Sequence, residues 1–206
     1  MKTWTVRQFD TAVKFVPVGG HIGKVLRKAQ FYESCPFCIL ASWYERYPKG
    51  TLRTVIDVGA SIGNHTMYLS CVAEAERVVA IEPGSRPCRY LRRNAKLNKV
   101  EVELHEAAAG AEAGIFHWER ITAPMITLDS LDLRNVDLVK VDVEENFMAV
   151  LRGSRELLTR ESADWWIEVD KAQSVDFVDG WMDVFGYERG DKVYNWTPTY
   201  LYTKRK

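Results

Sequence analysis

From Leu52 onward the chain alternates two patterns. Short runs rich in β-branched and aliphatic residues are separated by stretches in which apolar residues recur every third or fourth position. The runs Arg53–Val58, Arg77–Glu82, Val100–Glu106, Val136–Asp142 and Ala163–Val169 are predicted strands. Val78-Val-Ala-Ile81 is apolar at every position, as expected of a strand covered on both faces. Between the strands, Cys88, Leu91 and Ala95 fall on one helical face, and so do Phe147, Val150, Leu151, Leu157 and Leu158. Asn98 is the predicted left-handed stop of the first of these helices. The tail Gly186–Lys206 reads as a terminal β-hairpin. Strands alternating with helices predict an α/β domain with a parallel sheet and crossover helices over residues 51–206. Residues 1–50 read as a helical preface packed on the same domain, with helices over Lys24–Tyr32 and Cys38–Tyr47 closed by Pro48-Lys-Gly50.

Length and charge narrow the field. The chain has 206 residues, enough for a sizeable core. Lys plus Arg equals Asp plus Glu, so the net charge is zero, which argues against general nucleic-acid or membrane-surface binding. Apolar runs are too short for a membrane span, and MKTWTVRQFD lacks the apolar centre of a signal peptide. A cytoplasmic location is the default expectation. Cys35-Pro-Phe-Cys38 is a CxxC, but Cys71 and Cys88 show no matching spacing for zinc, and no thioredoxin-like pattern surrounds it. Reduced, mostly buried thiols are expected there.

The stretch Val55-Ile-Asp-Val-Gly-Ala-Ser-Ile-Gly63 ends a strand in an acid and two glycines. Ligands of open parallel sheets bind at the carboxyl ends of the strands. Gly59 and Gly63 there let backbone approach a ligand without a Cβ clash. A phosphate-binding loop needs Gly-Lys-Ser/Thr, but Asn64 and His65 follow Gly63. A dinucleotide site needs a third glycine. A turn without phosphate machinery suits S-adenosylmethionine, a nucleoside joined to an amino acid. Glu82 lies 19 residues past Gly63, where an acid meets ribose hydroxyls in nucleotide-binding units. Asp57, Gly59 and Gly63 in register favour that role over a helix N-terminal acid.

The segments "VIDVGASIGNHT", "AIEPGSRPCRYLRRNAKLN", "AAAGAEAG", "TLDSL", "VDLVKVDVE", "VLRG" and "TPTYLY" occur in one order. This set, covering most of the chain, resembles FkbM-type methyltransferases. The resemblance implies a class I, Rossmann-like methyltransferase fold: a mostly parallel seven-stranded sheet with an antiparallel last strand. It implies S-adenosylmethionine as cofactor and a hydroxyl on a small molecule or glycan as methyl acceptor. The cofactor set is then Asp57, Gly59, Ala60, Ser61, Gly63, Asn64, Glu82, Pro83, Ala107, Ala108 and Asp142. One departure stands out. The family usually reads D-V-E-G-x-E, whereas here Asp142-Val-Glu144 is followed by Glu145, Asn146 and Phe147. Phe147 fits the apolar helix face and is expected in the core. A binding protein that kept the fold and lost turnover is the competing class; a nicotinamide-dependent enzyme is disfavoured by the missing glycine.

Methyl transfer needs alignment and, for an alcohol, a base. Asp142, Glu144 and Glu168, at the ends of the fourth and fifth strands, are the candidates. Asp142 can equally hold the cofactor's ammonium, and Glu168 can cap its strand or pair with Lys171. The trio has the oxygen ligands of a hard cation, but no metal is expected. His65 is expected to pack, His21 and His117 to lie at the surface or be satisfied, and Asp129 to brace a turn. Trp165, Trp166, Trp181, Tyr194 and Trp196 fall near the predicted pocket side, where aromatics can stack on sugar rings, but are expected mainly in the core.

Overall fold

A computed structural model describes residues 2–8, 11–170 and 174–205. The chain opens with a hairpin of β1 (Trp4–Gln8) and β2 (Thr11–Phe15), in which Val6 pairs with Val13. This corrects the wholly helical preface. Val13 and Phe15 are buried while Ala12 and Lys14 are exposed, the two-residue period of a strand. Helix α1 covers Gly20–Leu26, not Lys24–Tyr32, and Ala29 and Glu33 beyond it take positive φ. Helix α2 (Ile39–Arg46) lies where the sequence predicts it.

The main sheet follows the apolar runs: β3 (Thr54–Val58), α3 (Asn64–Cys71), β4 (Arg77–Ile81), α4 (Ser85–Asn98) and β5 (Glu103–His105). A small sheet is inserted next, made of β6 (Ala108–Ala109), β7 (Gly114–Trp118) and β8 (Ile121–Ile126). Then come β9 (Val136–Val141), α5 (Phe147–Arg152), α6 (Arg155–Arg160), β10 (Asp164–Glu168), α7 (Val175–Val184), β11 (Tyr187–Tyr194) and β12 (Thr199–Lys204). The seven strands are ordered β11-β12-β10-β9-β3-β4-β5. The strands β10, β9, β3, β4 and β5 run parallel, and β12 is antiparallel to both its neighbours, as the resemblance implies.

Strand parity sorts the core. Ile56, Val58, Val139, Val141, Trp165 and Ile167 face α5, α6 and α7. Val55, Val78, Leu138 and Trp166 face the opposite side, with Phe15, Phe31, Trp43 and Tyr68. The preface therefore covers one face of the sheet. Asn94 and Asn98 of α4 tie it down: Asn94 Oδ1 accepts from Val16 N at 2.8 Å, and Asn98 Oδ1 accepts from Lys14 N at 2.8 Å. The left-handed stop of α4 is Lys99 (φ 57°), not Asn98, whose side chain is committed to β2. Asp129 bonds across to another element: its carboxylate accepts from Glu156 N (3.0 Å) and Leu157 N (2.9 Å) at the start of α6. Among the described residues no helix is long and apolar enough to cross a membrane.

Phe147 is buried among Val150, Leu151 and the strands beneath α5. Phe147→Glu should cost roughly 3–5 kcal/mol, the price of a lost aromatic and an unpaired buried charge. Urea denaturation checks this; an unchanged midpoint would place the side chain outside the core.

Candidate functional site

Val58 pairs with Ile81 on one side and with Val141 on the other, and Val141 pairs with Ile167. The parallel strands thus end level, and the residues just past them, Gly59, Glu82, Asp142 and Glu168, gather at one edge. Gly59, Ser61, Glu82, Pro83, Ala107, Ala108, Asp142 and Glu144 line a single cavity of about 370 Å³. That is the lower end of the range for small-molecule sites.

Glu82 is the best-held acid at the rim. Its Oε2 accepts from Ser61 N at 2.9 Å and its Oε1 from Gly84 N at 2.8 Å. Burial raises its pKa, against the pull of those two amides. Each oxygen keeps a lone pair for a further donor.

Five predicted residues stand outside the lining. Asp57 is fully buried: its Oδ2 accepts from Thr66 Oγ1 at 2.6 Å, and its Oδ1 lies 3.3 Å from Lys140 Nζ. Ala60 packs on Ala80 and Leu91. Gly63 is the left-handed N-cap of α3, and a Cβ there would lie 2.9 Å from Leu91 Cγ. Asn64 is buried, with both side-chain polar atoms bonded to the Tyr32 backbone. Glu168 is half-buried and does not reach the cavity wall, though it feels Asp142, Lys140 and Glu33. Its possible partner Lys171 lies outside the described residues. Gly59 lines the cavity, but its requirement is different from close approach of a ligand. At φ +81° a Cβ would sit 1.8 Å from the Asp142 carbonyl oxygen, so the turn and the end of β9 are in backbone contact. Glu144 does not continue an extended strand end either. The backbone turns at Val143 and Glu144 takes φ 52°, opening a 3₁₀ turn over Glu144–Asn146.

The remaining lining residues carry no strong sequence signal. His21, Ile22 and Tyr32 come from the preface, and Phe116, Trp118 and Ile121 from the β7–β8 hairpin. His21 is exposed, as expected, and meets Tyr32 edge-on at 5.3 Å. None of Trp165, Trp166, Trp181, Tyr194 and Trp196 lines the cavity: Trp165 and Trp166 are in the core, as expected, and Trp196 is 87% exposed. His65 is buried, with Nε2 3.0 Å from Glu33 Oε2. Cys35 and Cys38 form a disulfide, correcting the expected reduced pair: a turn closed by Cys38 N donating to Cys35 O brings them side by side ahead of α2. Among the described residues no three His, Cys, Asp or Glu side chains are grouped to hold a metal ion.

Lys140 is the residue most clearly missed. It is 3% exposed, with Nζ 3.3 Å from Asp57 Oδ1 and 3.1 Å from Asp142 Oδ2. Burial alone would strip its proton, but Asp142, Asp57 and Glu33 outweigh burial and raise its pKa. Asp57 is depressed: burial opposes its charge, and Lys140, His65 and the Thr66 hydroxyl together outweigh burial. Glu168 is pushed up to about 9, first by burial and then by Asp142. A group held above its ordinary 4.5 gives its full stability contribution below that value and loses it as pH rises toward about 9. The melting temperature should therefore fall from about pH 5 to about pH 9 more steeply in the wild-type protein than in Glu168→Gln. Parallel declines in calorimetric scans would contradict this.

A family model of the TRM5/TYW2 methyltransferase domain matches residues 49–123. No curated protein matches the chain by sequence. Among solved structures, the methyltransferase FkbM of Methylobacillus flagellatus KT is similar at 19% identity and a TM-score of 0.60, over 78% of this chain and 50% of that one. This chain thus spans about half the length of that relative. Precorrin-6y C5,15-methyltransferase of Geobacter metallireducens GS-15 aligns at 17% identity and TM-score 0.55, over 85% and 94% of the two chains. The 16S rRNA N2 G1207 methyltransferase of T. thermophilus, in complex with AdoMet and guanosine, aligns at 11% and 0.57, over 100% and 50%. These likenesses show the fold, that of class I methyltransferases.

Proposed function

We propose that the chain binds S-adenosylmethionine in the 370 Å³ cavity and transfers its methyl group to a hydroxyl of a small molecule or glycan. The placement of Glu82 carries the reading. Its carboxylate is oriented by the Ser61 and Gly84 amides, faces the cavity and keeps lone pairs for two ribose hydroxyls. The rest of the wall fits the same ligand. Phe116, Trp118 and Ile121 offer an apolar surface for a flat base, and Asp142 offers a carboxylate to a cationic end. The bound cofactor supplies an electrophilic methyl on a sulfonium. The chain's part is to orient the acceptor, exclude water and take a proton. Asp142 and Glu144 stand together at the wall, and Glu144 is assigned the acceptor's proton. The zero net charge supports a small acceptor over a polyanionic one.

Incubation with methyl-labelled S-adenosylmethionine and a panel of glycans, hydroxylated metabolites and structured RNA tests this. Label on a hydroxyl is expected; label on RNA alone would contradict the acceptor assignment. Glu82→Ala should weaken S-adenosylmethionine by about 10- to 150-fold, the range of one charge-assisted hydrogen-bonded group. Calorimetry on the folded variant measures it, and unchanged affinity would remove Glu82 from the ribose.

A further inference from the structure

Lys140 occupies a costly position. A buried ammonium is tolerated only when paired. It stands directly across from Asp57 on β3 and from Trp166 on β10. The same strand parity points Asp57, Asp142 and Glu168 toward the face that the preface covers. Asp57 has both oxygens engaged inside the protein, by Thr66 and Lys140, and is fully buried. Asp142 is different. Its Oδ2 contacts Lys140 at 3.1 Å, yet its side chain is 30% exposed and lines the cavity. Lys140 thus links a fully buried carboxylate to one that faces the ligand.

We infer that Lys140 is a positioning residue of this site, aiming the Asp142 carboxylate at the cavity and supplying positive charge against the acids crowded around it. The inference rests on the cofactor reading above. The groups facing Lys140 are Asp57 from β3, Asp142 past β9, Glu168 at the end of β10, Glu33 and Tyr32 ahead of α2, and Glu82 past β4, with His65 of α3 beside Asp57 and Glu33. If the ammonium is removed, the acids lose their compensating charge and the cluster takes up a further proton, beyond the one Glu168 already holds. A cationic ligand then has to displace that proton, so binding tightens as pH rises.

The test is calorimetric titration of S-adenosylmethionine into the wild-type protein, Lys140→Met, and Asp57→Asn/Lys140→Met. Relative to wild type, Lys140→Met should bind ~100-fold more weakly near pH 6 and within ~10-fold near pH 9. Comparing each variant with wild type at the same pH removes the ligand's own titration. The double variant loses one charge of each sign. Its pH response should return to that of the wild type, while Asp142, no longer held, leaves it ~10-fold weaker at every pH. A loss in Lys140→Met that is equal at all pH values, or a double variant no closer to the wild-type pH response, would overturn the inference and leave Lys140 a packing residue. Should Lys140→Met fail to fold, the charge-balanced double variant alone decides: wild-type affinity across the range overturns the inference. A wild-type protein that binds no S-adenosylmethionine at any pH would overturn the cofactor reading itself, and this inference with it.

Discussion

Gly59→Val should unfold the carboxyl edge of the sheet, not merely close the cavity. The new Cβ would lie 1.8 Å from the Asp142 carbonyl oxygen, a backbone atom that cannot swing aside. The position also has φ +81°, which a β-branched side chain resists. The amides of Gly59 and Ala60 both donate to Ile81 O, at 2.9 and 3.1 Å, so the turn cannot relax without releasing β4 as well. Strain and overlap together should cost at least about 3 kcal/mol. Urea denaturation measures the loss. A variant with wild-type stability that only fails to bind ligand would show that the turn has room, and that Gly59 serves the ligand alone.

Glu144→Gln should lower turnover by at least ~10²-fold and leave S-adenosylmethionine affinity within a few fold. Two carboxylates at the wall are candidates for the base, and their surroundings differ. Asp142 already has Lys140 on its Oδ2 at 3.1 Å. Glu144 has no ion pair among the described residues and is presented at φ 52°, a strained placement of the kind found at functional sites. Glutamine keeps the shape and removes the proton acceptor. Asp142→Asn should reduce both affinity and turnover, because Asp142 is the carboxylate proposed to meet the cationic end of the cofactor. If an acceptor is methylated equally well by Glu144→Gln, the base lies elsewhere. If no acceptor is methylated by any form of the protein, a binding role becomes the better account.

The parts of this site that are readable in the sequence belong to the parallel sheet. Runs such as Val78–Ile81 are apolar throughout because both faces are covered, and the glycine turn and Glu82 follow from where such strands end. What the linear pattern conceals is decided by contacts far apart in sequence. Asn64 reads as a helix-start residue beside a ligand, yet its amide is spent on Tyr32, 32 positions earlier. Tyr32 in turn lines the cavity, with its backbone held by that side chain. The β7 strand has no buried residue, so its alternation carries no core signal, although the hairpin it forms walls the site. The β1–β2 hairpin is legible after the fact in Val13 and Phe15, but two five-residue strands are easily absorbed into a helical reading. Lys140 did leave a mark. A lysine inside Val-Asp-Leu-Val-Lys-Val, a strand covered on both faces, demands acidic partners, and Asp57 and Asp142 stand at neighbouring strand ends. The pairing appears only when β3 and β9 are known to be neighbours.

The central claim is that the cavity holds S-adenosylmethionine, and a direct titration tests it. Calorimetry of the wild-type protein with S-adenosylmethionine, and separately with a nicotinamide dinucleotide, compares the two cofactors that such a sheet edge accommodates. The account predicts saturable binding of S-adenosylmethionine at one site per chain and none of the dinucleotide, since the turn from Gly59 to Gly63 lacks the third glycine of a pyrophosphate loop. Binding of the dinucleotide with no response to S-adenosylmethionine would contradict it.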